Sequence, residues 1–105
     1  MASLNGLLPE IYPYAQYLVS YLEPYGVRVT SVYRSYSEQL ELYRNRAQNP
    51  YPVAPPGQSK HGMRRAWDMT GPADVLAWAG DVWESWGGRW GGSFHTRPDP
   101  IHFEV

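Results

Sequence analysis

Ser59-Lys60-His61-Gly62-Met63-Arg64-Arg65-Ala66-Trp67-Asp68 carries a histidine and, seven residues on, an aspartate. His61 falls in a turn. Arg65-Ala66-Trp67-Asp68-Met69 then alternates polar and apolar side chains with the period of a short strand. A turn feeding a strand folds His61 back over Asp68, so an imidazole nitrogen and a carboxylate oxygen can face one cation, a mixed donor set that suits zinc. Two ligands do not complete a site. The C-terminal stretch Asp99-Pro100-Ile101-His102-Phe103-Glu104 offers the third. Prolines on both sides hold Asp99 extended. Ile101, Phe103 and Val105 alternate with His102 and Glu104, which sends the apolar set into the core and His102 to the opposite face.

Together, Ser-x-His at 59–61, Ala-x-Asp at 66–68 and Asp-x-x-His-Phe-Glu at 99–104 resemble the zinc D-alanyl-D-alanine carboxypeptidase superfamily (VanY-type). That superfamily includes D-Ala-D-Ala dipeptidases and the phage L-alanyl-D-glutamate endolysins. The resemblance covers residues 27 to 105. In one departure, the family glycine three residues after the first histidine is Arg64 here, with Gly62 nearby. A cation at this turn is also placed to dock a carboxylate.

The resemblance implies an α+β domain spanning residues 1–105, with a small antiparallel sheet and packing helices in a VanY/hedgehog-like zinc peptidase fold. It implies Zn2+ held by His61, Asp68 and His102, with Asp99 as general base. Arg34, in the segment Tyr33-Arg34-Ser35…Gln39, matches a family arginine that faces substrate, which implies that it stabilises the developing oxyanion or holds a substrate oxygen, and Gln39 and Ser59 are implied as further substrate-binding residues. Three protein ligands leave one position for water, whose pKa the metal lowers. Glu104, on the face of His102, is either a carboxylate orienting that ligand or a solvated terminal acid.

Upstream, residues 10 to 25 place Ile11, Tyr14, Ala15, Leu18, Val19 and Leu22 at helical steps, with Pro9 at the start and Pro24-Tyr25-Gly26 ending the run. Val27 to Tyr33 alternates β-branched residues as a strand, and Ser35 or Ser37 caps a following helix whose apolar positions are Leu40, Leu42, Tyr43 and Ala47. Residues 49 to 58 contain four prolines and form a stiff loop, either one wall of a groove or a plain connector. After Gly71-Pro72, the ring stripe Trp78, Trp83 and Trp86, with Val75, Leu76, Ala79 and Val82, reads as a core-facing helix ended by Gly87-Gly88. Gly91-Gly92-Ser93 reads as a hairpin-like bend, and His95 as a loop histidine.

Composition removes other classes. A stacking platform for nucleic acid needs interleaved basic residues, whereas the tryptophan-rich helix offers Asp74, Asp81 and Glu84, and the net charge is -1. There is no cysteine, hence no disulfide and no thiolate metal site. No apolar run approaches the ~20 residues of a membrane span. Met1-Ala2-Ser3-Leu4-Asn5-Gly6 lacks the pattern of a signal peptide.

The expectation is a monomeric peptidoglycan hydrolase acting on stem peptides. It is made in the cytoplasm of a bacterial host and reaches the wall after release. The phage L-Ala-D-Glu endopeptidase branch is favoured by the aspartate base and the short chain. The rivals are a D-Ala-D-Ala carboxypeptidase or dipeptidase, and a non-catalytic zinc-containing wall-binding or virion module. Retention of Asp99 argues against the last.

Overall fold

The computed structural model describes residues 4–105; the first three residues of the N-terminal segment read above lie outside it. Strands β1 (Arg28–Ser31), β2 (Ala66–Thr70), β3 (Arg89–Trp90) and β4 (His102–Glu104) form an antiparallel sheet in the order β1-β2-β4-β3. The helices are α1 (Tyr12–Leu22), α2 (Tyr36–Arg44) and α3 (Ala73–Ser85). This is the α+β arrangement expected.

One sheet face makes the core. Trp67, Met69 and Phe103 pack with Ala15, Leu18, Val19 and Leu22 of α1 and with Leu76, Ala79 and Trp83 of α3. Trp67 stacks on Phe103 (5.1 Å, 16°) and meets Trp83 edge-on (4.7 Å, 85°). Such pairs add ~0.5–1.5 kcal/mol each beyond the area they bury. Gly80 lets α3 close on β3, because a Cβ there would lie 2.2 Å from the Trp90 ring.

The other face of β2 is buried as well. Ala66, Trp67, Asp68 and Met69 are all buried, so the alternation of this strand separates core from site and not core from water.

Several local readings change. α1 begins after Ile11, with Pro13 in its first turn and Pro9 ahead of it. Trp83 alone of the ring stripe is core; Trp78 and Trp86 are about half exposed. They lie against tyrosines of α1: Trp86 meets Tyr14 and Tyr17, and Trp78 stacks on Tyr21. α2 is capped by Ser35 with a reciprocal Glu38 contact, and its single buried residue is Gln39. Leu40, Leu42 and Tyr43 are half-buried, while Ala47 lies exposed in a 3-10 turn. Gly91–Ser93 is a 3-10 turn opening a longer loop, and Val105 is exposed.

Arg64 adopts φ +60°, the left-handed conformation that favours glycine and costs other residues ~1–2 kcal/mol. That accounts for the glycine of the resembling family. Here the cost is offset by tertiary contacts: the guanidinium lies 4.0 Å over the Tyr33 ring, Nη1 donates to the Gly6 carbonyl, and the Arg64 carbonyl accepts from Leu8 N–H. Arg64→Gly trades relief of strain against loss of these contacts and is expected to shift stability little. Arg64→Val keeps the strain, adds β-branching and loses the stack, so its Tm should fall by roughly 5–10 °C. A valine variant melting with the parent would contradict this account.

Candidate metal centre

Asp68, in the middle of β2, pairs across the sheet with His102 of β4 on one side and with Ser31 of β1 on the other. The turn at 59–64 returns His61 above it. Ser59 Oγ accepts from His61 N–H, and successive turn bonds run from Gly62, Met63 and Arg64 N–H to the carbonyls of Ser59, Lys60 and His61. His61 Nε2 lies 3.2 Å and His102 Nδ1 3.1 Å from the same oxygen, Asp68 Oδ1.

The outer nitrogens fix the tautomers. His61 Nδ1 faces the Val32 carbonyl at 2.6 Å, which requires an N–H there. His102 Nε2 faces Glu104 Oε1 at 2.8 Å, which requires an N–H there too. Neutral imidazoles therefore point two lone pairs at a carboxylate oxygen. Three acceptors converge, and a cation or an added proton is needed between them.

The donor set fits zinc. Ligand bonds of about 2.0 Å at tetrahedral angles put donor atoms about 3.3 Å apart, close to the two separations seen here. All three donor atoms lie within 4.8 Å of one another.

Charge follows the same geometry. Burial alone would raise the Asp68 carboxyl, but the adjoining His102 and His61 rings hold it well below the usual carboxylate range. Burial disfavours charge on His102, yet Asp68 and Glu104 outweigh that and push its pKa up to about 9 without metal. A proton then takes the place of the cation. Glu104, despite burial, is held below its ordinary value by His102, so it is an engaged carboxylate and not a solvated terminal acid.

Asp99 lines the same cavity of about 240 Å³. It is buried, and its Oδ1 has no hydrogen-bond partner among the described residues. Burial first, then the nearby Asp68 charge, pushes its carboxyl upward. Gly91 holds its backbone: Asp99 N–H donates to the Gly91 carbonyl at 2.8 Å, and a Cβ on Gly91 would sit 2.1 Å from the Asp99 oxygen.

Arg34 is held on three sides. Its Nη2 donates to Asp68 Oδ2 (3.0 Å), Nη1 to Gln39 Oε1 (3.1 Å) and Nε to Ser31 Oγ (3.1 Å). Gln39 Nε2 in turn donates to the Ala54 carbonyl, tying α2 to the proline-rich loop. That loop is a wall, since Tyr51, Pro52, Val53 and Ala54 line the cavity. Arg64 does not line it; its side chain turns to Tyr33.

The structure thus gathers His61, Asp68, His102, Asp99, Arg34, Gln39, Ser59 and Glu104 around one cavity. Sequence reading missed Ser31, the Val32 carbonyl and Gly91. The first two lie at the end of β1, just after a register shift between Val29 and Ser31 for which the sequence carries no marker.

No family model and no curated protein matches the sequence. Solved structures do. The Serratia marcescens L-Ala D-Glu endopeptidase ChiX aligns at TM-score 0.70 with 21% identity, over 97% of this chain and 82% of that one. The D,D-pentapeptidase VanY of a VanB-type resistance cassette, an E175A mutant in complex with Zn(II), aligns at TM-score 0.70 with 22% identity, over 100% and 76%. The chain has the VanY-type peptidase fold. An L,D-carboxypeptidase DacB from Streptococcus pneumoniae shares the VanY-type fold at TM-score 0.70 and 20% identity, over 96% of this chain and 67% of that one. Among the described residues no helix is long and apolar enough to cross a membrane.

Proposed function

We propose that the chain is a monomeric, zinc-dependent peptidase of peptidoglycan stem peptides that cuts the L-Ala–D-Glu bond in the manner of a phage endolysin. The observation that carries this reading is the pairing of three converging metal donors with a buried carboxylate whose Oδ1 has no partner among the described residues, all on one cavity. A binding module needs the donors but has no use for Asp99 in that state.

Zinc held by His61, Asp68 and His102 would polarise a peptide carbonyl and lower the pKa of a water. Asp99 would accept the proton of an attacking water as the water oxygen bonds to the carbonyl carbon. The same carboxyl returns the proton to the amine as the C–N bond breaks. Arg34 has spent three of its five N–H donors, so two remain to hold a substrate oxygen. His61 and His102 are kept in the ligating tautomer by Val32 and Glu104.

The fold neighbours named above include an L-Ala D-Glu endopeptidase and a D,D-pentapeptidase. The second groove, which shares Pro52 and Phe94 with the metal cavity, gives a peptide room beyond the cleaved bond, as cleavage inside a chain requires. The test is digestion of purified peptidoglycan beside a short peptide ending in D-Ala-D-Ala. New N-terminal glutamate in the wall digest supports the proposal. Release of free D-alanine from both substrates, without new glutamate termini, would replace it with a carboxypeptidase.

A further inference from the structure

The metal cavity is edged by Phe94. Pro52 and Phe94 border both it and a second groove of about 650 Å³, within the size range of ligand clefts. A peptide lying across the metal centre and leaving on this side runs along that groove. We infer that the groove holds a free carboxylate of the substrate next to the cleaved bond, with Arg97 as its counter-ion. This deepens the stem-peptidase reading and rests on it.

The charges in the groove are unequally committed. Glu84 accepts from Ser93 Oγ at 3.1 Å and from Trp90 N–H at 3.4 Å, so it is engaged by the chain that forms the groove. Arg89 bridges to Glu104 at 3.3 Å and lies 5.1 Å over the Phe94 ring. Arg97 has neither an acidic partner nor a side-chain hydrogen bond among the described residues, and it lines the groove. A planar guanidinium with unused donors is suited to a carboxylate.

Its position relative to the chemistry is fixed by the backbone. Residues 91 to 99 form a loop whose ends are joined by the Asp99 N–H to Gly91 carbonyl bond. Pro98 separates Arg97 from Asp99, so the cation and the carboxylate residue that lines the metal cavity sit two residues apart on a pinned segment. Stem peptides carry free carboxylates on residues linked through their side chains, and amidation removes that charge while keeping the shape.

The test uses zinc-loaded protein bearing Asp99→Asn, so that the ligand stays intact, and calorimetric titration with two peptides. One is L-Ala-γ-D-Glu-L-Lys with an amidated C-terminus, and the other is its D-isoglutamine counterpart. The free-carboxylate peptide should bind about fivefold more tightly, the scale of an exposed ion pair. Adding Arg97→Ala should remove that preference while leaving the amidated peptide unchanged, and Arg97→Lys should restore part of it. Equal affinity for the two peptides, no binding of either, or a preference that survives Arg97→Ala would overturn the inference. A wall digest that yields glutamate termini would still uphold the peptidase reading in each of those cases.

Discussion

Replacing Asp99 with asparagine is expected to leave zinc content and fold intact while turnover on peptidoglycan falls at least 100-fold, the scale of losing a general base. The residue lines the cavity of the metal donors but is not among them, and asparagine keeps its size and its backbone bond to Gly91. A second effect separates this residue from a structural acid. Burial and Asp68 raise the Asp99 carboxyl above its ordinary range, so its folded-state ionisation is disfavoured. At pH 7, where the unfolded chain carries the charge freely, that ionisation opposes folding. The metal-free asparagine variant should therefore melt at or above the parent. Zinc loss would make Asp99 a ligand, and an unchanged rate would remove it from the chemistry. A lower Tm would mean that the carboxylate has a stabilising partner.

Removing a donor should have the other large effect. His61→Ala or His102→Ala is expected to weaken zinc binding at least 100-fold, beyond the 10–100-fold typical of losing a supporting residue such as Glu104. Dialysed parent protein should retain about one equivalent. Binding should also depend on pH with a definite sign. In the metal-free protein burial disfavours charge on His102, but Asp68 and Glu104 push its pKa from the ordinary 6.5 up to about 9. Its protonated form stabilises the fold fully below pH 6.5, and that contribution is lost as pH rises through 9. Zinc must displace the proton, so its affinity should climb by about tenfold per pH unit between roughly 7 and 9, then level off. A flat profile with full retention in both alanine variants would place the metal elsewhere.

The parts of this site that were legible in the sequence are those where one residue type and one spacing suffice. His61 and Asp68 are joined by a turn and a strand, and His102 falls on the strand face opposite Phe103, so period-2 geometry alone brings them to one side. The illegible parts depend on backbone atoms or on which of two plausible faces wins. The Val32 carbonyl that orients His61 leaves no trace in residue identity, and Ser31, which accepts from Arg34, sits just past a shift in the β1 register. Helical periodicity located α3 correctly but widened its buried stripe. Trp78, Trp83 and Trp86 recur at helical steps, yet the core accepts only Trp83. Gln39 shows the converse, a polar residue buried because its amide joins Arg34 to the Ala54 carbonyl. Arg64 hid its strained φ because its stabilising partners, Tyr33 and Gly6, lie far from it in the chain.

The placement of the tryptophans gives this molecule a built-in optical address system. Trp67 and Trp83 are sealed in the core, so their emission follows unfolding. Trp78 and Trp86 face water beside the α1 tyrosines, where a soluble quencher reaches them first. Trp90 alone borders the groove beyond Phe94, anchored by its indole N–H to the Pro100 carbonyl. With the two outer rings replaced by phenylalanine, a change in intensity on adding a ligand, without a shift in the unfolding signal, would come from Trp90 and so report occupancy of that groove.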